Sequence, residues 1–152
     1  MAHLSGEHEG KLDAKGRIVL PARLKSGLSQ ANGNVLMISR GMETCLVVYP
    51  VIEYEKIYSR VSGMNEFNQE HRHLQRAFFS RFNEVELDSN GRFLIPKMML
   101  NHAQLDKEVV FVGMGNRMEM WSPVLYEQFL IKDQDAYAEL AEKYLGDSPE
   151  NL

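Results

Sequence analysis

The segment Leu12 to Pro21 and the segment Leu87 to Pro96 are one ten-residue block written twice, 75 positions apart. Leu, Asp, Gly, Arg and Pro recur at five of the ten positions. The three residues before each Pro are apolar in both copies, Ile18-Val19-Leu20 and Phe93-Leu94-Ile95. Two copies in 152 residues are too few for a solenoid. They predict instead a pair of like units in which each covers the apolar face of the other.

The likeness continues past the blocks. Pro suits a helix start, where its missing N–H has no partner to lose. The segments after Pro21 and Pro96 therefore read as short helices, the first ended by Gly27. Each is followed by two apolar runs around a Gly-containing connection, the pattern of a β-hairpin. These are Val35–Ser39 with Cys45–Tyr49, and Val109–Val112 with Met118–Trp121. Pro50 and Pro123 then open further helical stretches. Strand, short helix, hairpin, helix thus spans about residues 8–62 and again about 82–132. Between them Phe67, His71, Leu74, Phe78 and Phe82 recur at three- and four-residue spacing, which predicts a linking helix over Asn65–Phe82. The acidic tail from Lys132 reads as a terminal helix that frays. The fold class is α+β and β-rich, an intrachain pseudo-dimer with a linking helix and a helical tail.

Within the block, Asp13 and Asp88 have the side chain that caps a turn by accepting backbone N–H groups a few residues on. Gly16 and Gly91 supply positive φ without steric cost. Arg17 and Arg92 lie four residues after the Asp, in reach of it across the turn. Asp13, Gly16, Asp88, Gly91 and Arg92 are therefore assigned to structure. The apolar triplet that follows reads as a strand buried on both faces.

Charge separates the copies. Lys11, Lys15, Arg17, Arg23 and Lys25 face one acid, Asp13, a balance of +4 over residues 11–25. The matching segment, 86–100, sums to zero: Lys15 becomes Asn90, Arg23 becomes Met98 and Lys25 becomes Leu100. The whole chain carries −4, with +3 on residues 1–81 and −7 on residues 82–152. A basic segment is either a solvated face or an anion-binding surface. Its concentration on one copy of a repeated scaffold favours the second, and a basic patch is the electrostatic footprint of nucleic-acid binding.

Other chemistry has little support. The five His are scattered, and His71 and His73, two apart on a helix, do not share a face. No Gly-rich phosphate loop or nucleophile elbow occurs. Cys45, the single cysteine, lies in an apolar run and reads as a core residue. No enzyme activity, metal, cofactor or small-molecule substrate is expected. No apolar run approaches the roughly 20 residues of a membrane span, and the first residues lack the basic start and apolar core of a secretory signal. These features predict a cytoplasmic protein.

Two Leu-Asp-x-x-Gly-Arg blocks ending in three apolar residues and Pro, each followed by a hairpin ending before Pro, resemble the MraZ family of the SpoVT-AbrB superfamily. The resemblance covers residues 8 to about 132, with units at 8–54 and 82–125. It implies tandem AbrB-like units of the swapped-hairpin (double-split barrel) type. It further implies a nucleoid-associated, sequence-specific transcriptional regulator that acts on the promoter of its own division and cell-wall gene cluster. Closed homo-oligomeric rings would bind repeated elements in double-stranded DNA. The family's DNA-contacting arginine falls on Arg17. With Lys15 it would enter a groove, while Lys11, Arg23 and Lys25 touch phosphates. Arg92 would be scaffold. The alternative is an AbrB-like adaptor or antitoxin-type assembly protein without specific DNA readout. The chain departs from the family at its start, where His3-Leu4 stands in place of a Phe.

Overall fold

The computed structural model describes residues 3–27 and 33–146. The first unit contributes β1 (Glu7–Lys11), β2 (Arg17–Val19), α1 (Ala22–Ser26), β3 (Val35–Arg40), β4 (Leu46–Pro50), α2 (Val51–Ser62) and α3 (Gln69–Arg81). The second contributes β5 (Phe82–Glu86), β6 (Arg92–Leu94), α4 (Lys97–His102), β7 (Glu108–Gly113), β8 (Met118–Trp121), α5 (Pro123–Phe129) and α6 (Gln134–Leu145).

The units are interleaved. Six strands form one antiparallel sheet in the order β1-β7-β8-β4-β3-β5. The first strand of each unit thus pairs with the hairpin of the other: Glu7 lies opposite Val112, and Phe82 opposite Ser39. A local pseudo-twofold axis follows from the registers. At the sheet centre β4 meets β8 with Val47 opposite Glu119. These two are equivalent positions, because Val47 pairs with Ser39 and Glu119 with Val112. The remaining strands, β2 and β6, form a separate ribbon centred on Ile18 opposite Phe93, which are equivalent in the repeated block.

The ribbon's inner side and one face of the sheet enclose a single core drawn from both units, including Ile18, Leu24, Ile38, Val48, Phe93, Ile95, Met99, Phe111 and Met120. Each such side chain contributes about 1.5–3 kcal/mol by leaving water, so neither unit keeps its stability without the other. Leu4, at the family departure, is buried in this core and bridges to Gly115. Cys45 is buried with Val47 and Trp121 on the opposite side of the sheet. Pro21, Pro50 and Pro96 cap their helices, Pro123 enters the first turn of α5, and Gly27 ends α1.

Two expectations are corrected. The linking helix runs only over Gln69–Arg81: Asn68 caps its start, leaving Asn65 and an 85% exposed Phe67 outside it, and Phe82 opens β5 because its backbone joins the ladder to β3. Its ring still stacks near Phe78 and Tyr54, at centroid distances of 4.7 and 4.9 Å, which explains why it matched the helical spacing. The apolar triplets are not buried on both faces. A ribbon of two short strands has one face on the core and one in solvent, so Val19 and Leu94 stand 53% and 57% exposed. The tail does form a helix, α6, capped by the Asp133 side chain. Its remaining acids, Asp147 and Glu150, lie outside the described residues.

Candidate nucleic-acid interface

The two turns are built alike. Asp13 Oδ1 accepts the N–H groups of Lys15 and Arg17, each at 2.9 Å, and Oδ2 accepts from Arg17 Nε at 2.8 Å. Asp88 repeats this with the N–H groups of Asn90 and Arg92 at 2.9 Å and Arg92 Nε at 2.9 Å. Gly16 and Gly91, at φ +84° and +74°, let the chain reverse. The carbonyl of Gly16 accepts from Ile95 N–H at 3.0 Å, and that of Gly91 from Leu20 N–H at 2.9 Å. Each turn is therefore also held by the other unit.

Hydrogen bonds to an ionised carboxylate favour its charged form. The backbone N–H of Arg17, helped by its side chain and the N–H of Lys15, holds Asp13 below the usual carboxylate range. The backbone N–H of Arg92 does the same for Asp88, helped by Asn90 N–H and the Arg92 side chain. The Asp–Arg contact expected across each turn is thus present. It engages only Nε. Among the described residues, the terminal nitrogens of Arg17 and Arg92 have no hydrogen-bond partner, and they remain available for a bidentate acceptor.

Strand alternation sends Arg17, Val19, Arg92 and Leu94 to the ribbon's outer face while Ile18 and Phe93 point inward. Arg17 lies opposite Leu94 and Val19 opposite Arg92. The face is a two-by-two array with arginines on one diagonal and apolar residues on the other. Arg92, assigned to scaffold from sequence, has the same ion pair, the same strand position and the same exposure as Arg17. The two residues before Pro gave no hint of this, but alternation from Arg17 would have placed Val19 beside it.

The other basic residues divide. Lys15 is exposed in the first turn. Lys25 crosses to the second copy, its Nζ 3.9 Å from the position a Cβ on Gly91 would take. Leu100, its counterpart, lies at the matching place beside Gly16. Lys11 and Arg23 are not part of this group. Lys11 is opposite Glu108, in a cleft of about 370 Å³ shared with Glu9 and Pro123. Arg23 lines a cleft of about 320 Å³ with His3, Ser5 and His8. The +4 segment is therefore split, and the cations around the ribbon are Lys15, Arg17, Lys25 and Arg92.

Glu43, Cys45 and Glu119 bring donor atoms within 4.8 Å of one another. Burial first, then the two carboxylates, push the Cys45 thiol up to about 12, so it stays protonated at neutral pH. Among the described residues, no helix is long and apolar enough to cross a membrane.

The duplicated architecture has a family counterpart. The family model described as "MraZ protein, putative antitoxin-like" matches twice, over residues 3–77 and 78–146. The chain belongs to the MraZ family. Among curated members, a protein of Cytophaga hutchinsonii is 57% identical over 146 residues, covering 96% of this chain and 97% of its own. One of Carboxydothermus hydrogenoformans is 39% identical over 138 residues, covering 91% and 94%. One of Christiangramia forsetii is 37% identical over 147 residues, covering 96% and 95%. Each of these MraZ relatives is named a transcriptional regulator.

Proposed function

We propose that this MraZ-family chain is a sequence-specific, double-stranded-DNA-binding transcriptional regulator. It acts through repeated elements in the promoter of its own division and cell-wall gene cluster. The reading rests on one observation above all: two Asp-held arginines on one ribbon face, their terminal nitrogens without a hydrogen-bond partner among the described residues, flanked by Lys15 and Lys25. The major groove admits a two-stranded ribbon, and a guanidinium fork matches guanine O6 and N7. The carboxylates fix each arginine before binding, which lowers the entropy lost on contact. Lys15 and Lys25 neutralise phosphates and set the register. Lys11 and Arg23, farther out, serve phosphates at the edge of the footprint. The family names of the relatives and the basic balance of the first half support the same reading.

Few cations on a chain of net charge −4 bind DNA weakly. A closed homo-oligomeric ring answers this, because subunits spaced to match repeated elements gain avidity without new contacts. Self-association is supported by α6, where Tyr137, Leu140 and Tyr144 form an exposed apolar stripe at helical spacing. Apolar stripes of this kind mark protein-binding surfaces.

The same stripe favours a second reading, an antitoxin-type adaptor whose partner is another protein. A gel shift with the DNA upstream of the chain's own gene separates the two. Phosphate-driven binding is strongest at low salt, so no shift there removes the regulator reading. Arg17→Ala abolishes the shift while leaving the native mass unchanged. Undiminished binding by that variant removes Arg17 from the interface.

A further inference from the structure

Val19 and Leu94 are the unexplained half of the ribbon's outer face. They are equivalent under the pseudo-twofold axis and more than half exposed. Single exposed apolar residues are common on protein surfaces and need no account. This pair differs in its setting. It shares the outer face with two arginines whose terminal nitrogens have no hydrogen-bond partner among the described residues, with the Lys25 ammonium beside Gly91. It is not part of the core, which takes Ile18, Leu20, Phe93 and Ile95 from the two blocks. Positive charge on the rim identifies the occupant as a polyanion. An apolar centre on such a surface is left wet unless the polyanion itself carries apolar groups. Double-stranded DNA does, at the C5-methyl groups that thymine displays in the major groove.

We propose that Val19 and Leu94 are specificity-determining residues that pack against thymine methyl groups between the base pairs engaged by Arg17 and Arg92. The spacing agrees. Diagonal neighbours on an antiparallel pair lie about 7–8 Å apart, close to two steps of the roughly 3.4 Å rise along a DNA strand. With the arginine diagonal laid along the groove, the two arginines reach bases about two steps apart, and the apolar diagonal, which crosses it, places Val19 and Leu94 over the steps between. Neither residue can form a hydrogen bond, so the contact discriminates by the presence of a methyl group and by excluding water from the arginine contacts.

This inference rests on the DNA-binding reading, and its test separates the two. The probe is the DNA duplex upstream of the chain's own gene, prepared with thymine and again with deoxyuridine throughout, beside a random-sequence duplex. Affinities are measured by fluorescence anisotropy with the full-length protein and with a Val19→Ala/Leu94→Ala variant. Both substitutions are on the surface, and native mass and thermal melting confirm that the variant is intact. Wild type loses about fourfold in affinity for each contacted methyl removed, the ratio that burial of one such group gives. The variant binds the thymine duplex more weakly than wild type and no longer distinguishes it from the deoxyuridine duplex. Binding to random DNA is unchanged by either substitution. Equal affinity of wild type for the thymine and deoxyuridine duplexes overturns the proposal while leaving DNA binding in place. A variant with altered native mass also overturns it and assigns the pair to contact between subunits. No binding of wild type to any duplex overturns the underlying reading.

Discussion

Lys25 serves the copy it does not belong to: its ammonium stands 3.9 Å from the Cβ position of Gly91, beside the second turn. The charge that sequence places on the first copy is thus delivered partly to the second. Lys25→Ala should lower DNA affinity by a similar factor across different sequences and reduce the slope of log affinity against log salt by about 1. A salt titration of anisotropy measures it. A sequence-dependent loss with an unchanged slope would place Lys25 on a base rather than a phosphate.

Asp13 and Asp88 give the fold an acid-sensitive contribution to stability. Both carboxylates are held below the usual range by backbone N–H groups, foremost those of Arg17 and Arg92. A depressed native value means the unfolded chain binds the proton first. The stabilisation is present in full above the unfolded value, near pH 3.9, and is lost as pH falls through the native value. Melting temperature should fall steeply below about pH 4. In Asp13→Asn and Asp88→Asn the fall is shallower, starting from a lower melting temperature at pH 7. Parallel curves for wild type and both variants would remove these carboxylates as the cause.

Among the described glycines, Gly113 leaves the least room for a side chain. A Cβ there would lie 2.2 Å from Ser5 N and 2.5 Å from Leu4 C, both backbone atoms. At Gly115, with φ +83°, nothing lies within 4 Å and only backbone strain opposes a side chain. Gly113→Ala should therefore cost more than Gly115→Ala, of order 1–3 kcal/mol against about 1–2. The excess comes from displacing the N-terminal segment that donates from Leu4 N–H to Gly115 O. Urea denaturation ranks the two.

The sequence made the repeated elements legible because their signals are local. The Asp and Gly of each turn, the apolar runs of the hairpins and the Pro before each helix act within a few residues of themselves. The interleaving was legible only through the family resemblance, which implies swapped hairpins, because the pairing of Glu7 with Val112 spans most of the chain and no local pattern encodes it. The same distance effect divided the basic segment. Arg23 and Lys25, two apart on α1, point to different sides, and only the swapped packing decides what each one meets. The assignment of Arg92 to scaffold has a different origin. Its neighbourhood is neutral in sequence, whereas its geometry copies that of Arg17.

The pseudo-twofold axis has a consequence for direction along a duplex. A true twofold head presents identical halves, so it reads a site equally well in either orientation and cannot tell upstream from downstream. Here both halves sit in one polypeptide and have drifted apart, Val19 against Leu94 and Lys15 against Asn90. On the proposed DNA-binding reading, such a head would bind in one orientation. Successive subunits of an assembly would then meet elements that all run the same way, which calls for head-to-tail repeats in the DNA rather than palindromes.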